Sequence, residues 1–247
     1  MQPVIETREL SRRFGKVDAV DGLTLHIPAG SLFAFVGPNG AGKTTTIKML
    51  LNLLRPTSGQ AIVLGTDSRQ IGPRELSRIG YVSENQELPD WMTVEQLMAY
   101  VRPLYPGWDE KLCRKLRSDL DLKSRLPIRS FSRGMRMKAA LLVSLAYRPE
   151  LVILDEPFGG LDPLAREELI RALLELTGEH KWTTLVSSHD LDEVERLADS
   201  IAFIDKGRAL VVESVQGLIE KHRRPLREIF VMLARRSRDN FAVAESR

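Results

Sequence analysis

Gly37, four residues, then Gly42-Lys43-Thr44 fits the spacing G-x-x-x-x-G-K-[ST], in which small residues let successive backbone N–H groups turn toward one anion. Within Gly37-Pro38-Asn39-Gly40-Ala41-Gly42-Lys43-Thr44-Thr45, Lys43 would reach the β- and γ-phosphates of a nucleotide and the Thr44 hydroxyl would ligate Mg²⁺. The adjacent acids Asp155 and Glu156 are the second set of residues with chemistry to offer. Asp155 at a strand end would hold Mg²⁺ through water opposite Thr44, while Glu156, pointing differently, would orient or deprotonate a water in line with the γ-phosphate. His189 is a candidate donor to the γ-phosphate as charge develops there; read alone, a histidine at a helix start also suits a cap.

The elements around these residues are those that the chemistry needs. Ser31 to Val36 reads as a buried strand and Thr46-Ile47-Lys48-Met49-Leu50-Leu51 as a helix, so the glycine loop lies between strand and helix, and the helix aims its positive dipole end at the bound anion. Leu151-Val152-Ile153-Leu154 is an apolar run of the kind found in central parallel strands, whose carboxyl ends gather ligands. Asp162 and Pro163 then suit the cap and first position of a helix, with Leu169, Ile170, Leu173, Leu174 and Leu176 as its buried stripe and Gly178 as its stop. Trp182 to Ser187 reads as another buried strand that delivers Ser188-His189-Asp190 to its end.

Val4 to Leu10 and Leu23 to Ile27 alternate apolar and polar residues, as half-buried antiparallel strands do. Phe14 on the turn between them suits stacking on a flat base or ordinary hydrophobic packing. Gln60 to Gly65 and Arg78 to Val82 read as strands, the second ending in the polar run Ser83-Glu84-Asn85-Gln86. From Leu88 to Tyr147 helical spacing dominates, with Thr93 and Gln96 forming a capping box. In Phe131-Ser132-Arg133-Gly134-Met135, Ser132 is a helix cap, or with the backbone near Gly134 a second anion site. Ser200 to Glu213 suggests a hairpin about Lys206-Gly207, followed by a short helix. Arg227 to Leu233 is ambiguous between helix and strand, and Asp239 to Arg247 is expected to fray.

A chain of 247 residues with 43% hydrophobic content holds a sizeable core without staples. Cys113 is its single cysteine, which rules out an intrachain disulfide and a cysteine zinc cluster and suits a reducing compartment. No apolar run approaches a membrane span, and Met1 to Glu6 lacks the charged-then-apolar pattern of a secretion signal, so the expectation is a soluble, intracellular chain. The net charge of +3 says little by itself. Basic residues concentrate between Lys111 and Lys138 and after Lys221, which fits a solvated face, anionic lipid or nucleic acid.

The order of these motifs over about residues 4 to 215 resembles the nucleotide-binding subunits of ATP-binding cassette transporters. Gly37 to Thr45 looks like their Walker A loop, Leu151 to Glu156 their Walker B strand, Gly160-Leu161-Asp162 their D-loop, and His189 their switch histidine, while Phe14 stands where they place the adenine-stacking aromatic. Phe131 to Met135 occupies the place of the signature Leu-Ser-Gly-Gly-Gln, with Arg133 and Met135 replacing a glycine and the glutamine. Glu84 occupies the place of the Q-loop glutamine, as a further metal contact, with Gln86 as a substitute.

The resemblance implies an α/β fold: a P-loop NTPase core with a mainly parallel sheet, an antiparallel N-terminal β subdomain and a helical insertion. It divides the chain into the first part of the ATPase core at 1–87, a helical subdomain with the signature at 88–148, the second part of the core at 149–213 and an extension at 214–247. It implies ATP and Mg²⁺ as ligands, and catalysis by Lys43, Glu156 and His189. It also implies a head-to-tail homo- or heterodimer that closes each ATP between one loop and the opposite Ser132-Arg133-Gly134. The partner would be a separately encoded integral membrane subunit at the cytoplasmic face of the cell membrane, of export type, docked near Leu88 to Pro106, with no nucleic acid. Trp91, Met92, Met98, Tyr100 and Tyr105 there suit an interface or core packing. Two other classes fit these residues less well. A soluble cassette ATPase acting on nucleic acid or a scaffold would usually carry a coiled-coil insertion or a second cassette, and a phosphotransferase would leave Glu156, His189 and the signature idle.

Overall fold

Alternating burial along the N-terminal strands builds an antiparallel sheet, and runs buried at nearly every position build the parallel pairings. The structure, a computed structural model, describes residues 3–122, 125–180 and 182–245, and divides into two units. The first unit comprises Met1–Gln70 and Val186–Arg247, the second Ile71–Leu185.

In the first unit β1 (Ile5–Phe14) and β2 (Val17–Ile27) form a long antiparallel hairpin from Ile5 opposite Ile27 to Phe14 opposite Val17, its register shifting between Thr7 and Leu10, Leu10 and Arg12, and Arg12 and Arg13. Phe14 is therefore the last residue of a strand, not part of the turn. β3 (Leu32–Val36) is buried at every position and leads through the glycine loop into α1 (Lys43–Leu50). β4 (Ser58–Val63) and β5 (Thr66–Asp67) complete a four-stranded sheet in the order β2-β1-β4-β5.

In the second unit a short α2 (Pro73–Leu76) precedes β6 (Ile79–Val82). The helical stretch holds α3 (Val94–Val101), α4 (Glu110–Asp119) and α5 (Arg133–Leu145). Thr93 and Gln96 close the capping box, with Gln96 N–H donating to Thr93 Oγ1 at 3.3 Å and Thr93 N–H to Gln96 Oε1 at 2.9 Å. Tyr105 stacks on Tyr147 with centroids 3.9 Å apart, and the Tyr147 hydroxyl donates to the Ile79 carbonyl at 2.8 Å. These contacts tie the helices to β6. Cys113 is buried among them, and burial pushes its thiol up to about 11, so it acts as a packing residue.

β7 (Leu151–Asp155) pairs with β6 in parallel, and α6 (Pro163–His180) follows it. The helix runs through Gly178 instead of stopping there. Gly178 is exposed and a Cβ on it would meet nothing, so the residue costs only its propensity, about 1 kcal/mol against alanine. Leu174 lies 42% exposed, off the stripe of Leu169, Ile170, Leu173 and Leu176. β8 (Thr183–Ser188) carries the chain back to the first unit.

There, α7 (Leu191–Leu197) precedes β9 (Ser200–Asp205), which pairs in parallel with β3, and β10 (Arg208–Ser214), which pairs antiparallel with β9. α8 (Val215–His222) and α9 (Leu226–Glu245) close the chain. The ambiguous Arg227 to Leu233 is thus helix. Leu226 and Ile229 are fully buried, and the Phe230 ring meets Phe203 edge-on at 5.3 Å. α9 continues to Glu245 over residues expected to fray; 246 and 247 lie outside the described residues. No helix among the described residues is long and apolar enough to cross a membrane.

Candidate functional site

The first unit builds the loop from close backbone approaches that only glycine permits. A Cβ on Gly37 would stand 2.1 Å from the Ile204 carbonyl oxygen of β9, and one on Gly42 2.4 Å from that of Ala19 in β2. Gly40 and Gly42 have φ of 82° and 105°, in the left-handed range. Gly207, in the β9–β10 turn, donates its N–H to the Ala41 carbonyl at 3.0 Å and accepts from Asp21 N–H at 2.9 Å. The loop is thus braced from β2 and from that turn. In the sequence Lys206-Gly207 reads only as a hairpin turn, because this brace joins residues distant in the chain.

α1 begins at Lys43 with no side-chain cap, so the start of the helix offers its amides to an anion in place of a side chain. Lys43 is buried to 5% exposure, and its ammonium donates to the Gly37 carbonyl at 2.7 Å and the Pro38 carbonyl at 3.3 Å. Thr44 and Thr45 are half-buried, and Pro38, Asn39 and Gly40 form an exposed lip. A loop without bulky side chains, an ammonium folded onto it and an uncapped helix start fit a polyphosphate.

His189 stands on the exposed bend after β8, one residue beyond Ser188, whose carbonyl accepts from Gly37 N–H at 3.3 Å. The backbone therefore carries the histidine beside the loop. The cap of α7 is Asp190, accepting from Asp192 N–H at 3.0 Å and Glu193 N–H at 3.5 Å, so His189 does not serve as the cap. The buried Ser188 hydroxyl donates to Glu193 Oε2 at 2.9 Å and accepts from Asp190 N–H at 3.0 Å, which fixes the bend. Ser188 and Glu193 were missed as site residues, since the pattern of a capped helix explains both.

In the second unit Asp155 closes β7 at 1% exposure and Glu156 follows at 7%, with φ of 50°. A non-glycine residue in this region is strained, and such strain concentrates at functional sites. Val82 lies opposite Leu154 in the parallel register, so Glu84 and the acid pair leave the same end of the sheet. The neighbouring Tyr81 phenol is pushed up to about 12 by burial and then by the negative charge of Asp155. Glu84 is exposed on a turn that Gln86 closes, its Oε1 accepting from Ser83 N–H at 3.2 Å. Gln86 is therefore engaged in shaping the turn. No group of three or more His, Cys, Asp or Glu among the described residues gathers to hold a metal. A hard cation held at this acid pair would draw most of its shell from phosphate and water, as Mg²⁺ commonly does.

The serine stretch is also in the second unit. Ser132 Oγ accepts from Met135 N–H at 3.2 Å and caps α5, and both Ser132 and Arg133 are exposed. Arg136 reaches back to the carbonyls of Phe131 and Arg129 at 3.3 and 3.0 Å, holding the approach to the helix. A Cβ on Gly134 would stand 3.0 Å from Ala165 Cβ, so this glycine lets α5 approach α6. The Arg133 guanidinium lies on Gly160, whose added Cβ would be 2.6 Å from Nη1. Asp162 caps α6, accepting from Ala165 N–H at 2.9 Å.

Residues 20–159 match the ABC transporter family. The bacitracin transport ATP-binding protein BcrA of Enterococcus faecalis is 31% identical over 91% of this chain and 73% of its own length. The lantibiotic transport ATP-binding protein SrtF of Streptococcus pyogenes is 34% identical over 87% of this chain and 92% of its own. A solved ATP-binding subunit of an ABC transporter superposes with a TM-score of 0.82 at 28% identity, over 94% of this chain and 99% of that one. The fold is the P-loop cassette with its antiparallel N-terminal sheet, and the chain belongs to the ABC transporter family as one of its ATP-binding, ATP-hydrolysing subunits.

Proposed function

We propose that this subunit binds Mg-ATP, dimerises on it with a second copy or a homologous subunit, and reopens after hydrolysis to drive export by a separate membrane-spanning subunit on the cytoplasmic face of the cell membrane. The observation that carries the reading is the exposed start of α5, where Ser132 and Arg133 lie open at the surface. The exposed Ser132 hydroxyl, the arginine beside it and the N–H groups of the helix start that the serine does not cap suit an anion brought by another molecule. In a two-fold dimer, Ser132, Arg133 and Gly134 of one copy meet the triphosphate held by Gly37 to Thr45 of the other, and the reverse contact follows by symmetry.

Lys43 exchanges its loop carbonyls for the β- and γ-phosphate oxygens, and Phe14 stacks on the base. Thr44 and Asp155, with Glu84 as a further carboxylate, would hold Mg²⁺, which when bound neutralises charge on the phosphates. Glu156 orients the attacking water and takes its proton. His189 donates to the γ-phosphate as charge accumulates there. No covalent intermediate is needed, since positioning and charge stabilisation supply the catalysis.

The apolar side chains Trp91, Tyr100 and Leu104, 65%, 57% and 64% exposed, support docking of the membrane subunit on this stretch of the second unit. Tyr105, stacked on Tyr147, belongs to packing instead. Glu156→Gln tests the cycle: with Mg-ATP it should run as a dimer by light scattering and release no phosphate, while Lys43→Ala should remain monomeric. A Glu156→Gln chain that binds ATP yet stays monomeric would overturn the reading.

A further inference from the structure

Phe14 ends β1 with 46% of its surface exposed, and one face of its ring is covered. The Arg12 guanidinium carbon lies over it, 4.5 Å from the centroid. Two residues apart on one strand, the side chains share a face. The same guanidinium is anchored, Nη1 donating to the Arg55 carbonyl at 2.9 Å, while its Nε is buried with no hydrogen-bond partner among the described residues. The guanidinium forgoes that bond and lies on the ring instead. An arrangement held against an unmet donor asks for a role.

The backbone beneath the ring is pinned as well. Arg13 Nε and Nη2 donate to Asp18 Oδ1 at 2.5 Å and Oδ2 at 3.0 Å across the hairpin turn. Arg13 N–H donates to Thr57 Oγ1 at 3.0 Å, and Thr57 N–H to the Ser11 carbonyl at 2.8 Å. The hairpin also reaches the glycine loop: Val20, the strand partner of Arg12, has its Cγ2 3.3 Å from where a Gly42 Cβ would stand. The aromatic is thereby tethered to the phosphate loop through β1 and its pairing with β2.

We propose that Arg12 is a positioning residue for the nucleotide base, holding Phe14 with one face occupied and the other presented to a purine. The proposal rests on the reading that Phe14 stacks on the base. A lone phenylalanine at a strand end samples several rotamers, and each must be given up when a base arrives. A cation seated within 6 Å of the ring centroid fixes the ring beforehand, and the planar guanidinium stacks where a lysine would not. The ring is also polarised, its electron density drawn toward the cation and away from the open face.

Calorimetric titration of the full chain with Mg-ATP and with magnesium tripolyphosphate, which carries no base, separates the possibilities. Arg12→Ala should weaken ATP binding roughly five- to tenfold and leave tripolyphosphate within about twofold. Phe14→Ala should lose at least as much ATP affinity, and the double variant should be no weaker than Phe14→Ala, since the two act as one unit. Arg12→Lys, which keeps the charge without the plane, should lose affinity in the same direction. Equal weakening of tripolyphosphate by Arg12→Ala would make Arg12 a phosphate-binding cation and overturn the proposal, as would unchanged ATP affinity. Unchanged ATP affinity in Phe14→Ala would instead remove the stacking reading, and the proposal with it.

Discussion

Gly42 faces the Ala19 carbonyl so closely that an added Cβ would stand 2.4 Å from the oxygen, and its φ of 105° is closed to most side chains. Gly42→Ala combines left-handed strain with a clash against backbone that β2 holds in place. Thermal or urea unfolding should show a loss of about 3 kcal/mol, and binding of Mg-ATP should disappear.

Glu156 poses the opposite trade. Its backbone is in the left-handed region at the end of β7, so Glu156→Gly should relieve roughly 1 kcal/mol of strain and raise Tm by about 2–4 °C. The same change removes the proposed base, and phosphate release should fall by at least about 100-fold. A variant that is both more stable and inactive would show that the strain is maintained for function.

Ser188 should matter through His189. Ser188→Ala deletes a buried hydrogen bond to Glu193 and the brace on Asp190 N–H, at a cost of about 1–3 kcal/mol. Because Lys43 and the glycine loop are untouched, steady-state kinetics should show kcat reduced roughly tenfold with KM for ATP within about twofold.

Tyr81 reports on Asp155. Burial, then the charge of Asp155, raises the phenol from 10.0 to about 12. A group raised on folding stabilises the native state fully below its unfolded value, and that contribution is lost as the pH rises from 10 through about 12. Ultraviolet titration of tyrosinate, with Tyr81→Phe as the reference, should therefore place Tyr81 late. Asp155→Asn should bring it earlier while leaving it above 10, because burial is the larger cause.

Much of this site is legible in sequence because its parts are local. The glycine spacing, the apolar run before Asp155 and the Asp162-Pro163 start of α6 each state their conformation within a few residues. The support is not local. Ala19 under Gly42, Gly207 against Ala41 and Arg133 across Gly160 join positions whose proximity only the folded chain creates. Helix ends and faces were read less well where a single residue carried the argument. Gly178 suggested a stop, but its exposed position lets the helix continue, and Leu174 fitted the apolar count while facing outward. Arg227 to Leu233 was too short to show a period, and only the burial of Leu226 and Ile229 reveals the helix.

The central claim is that each triphosphate is held by one copy and sealed by another, and mixing two disabled chains tests it most directly. Lys43→Ala removes the phosphate grip and Ser132→Ala the seal; each alone should release little phosphate from Mg-ATP. If the two residues act from opposite copies, mixed dimers contain one intact pairing, and phosphate release should reappear on mixing. If mixing restores nothing while both chains remain folded and Ser132→Ala still binds ATP, loop and serine act within one chain and the account is wrong.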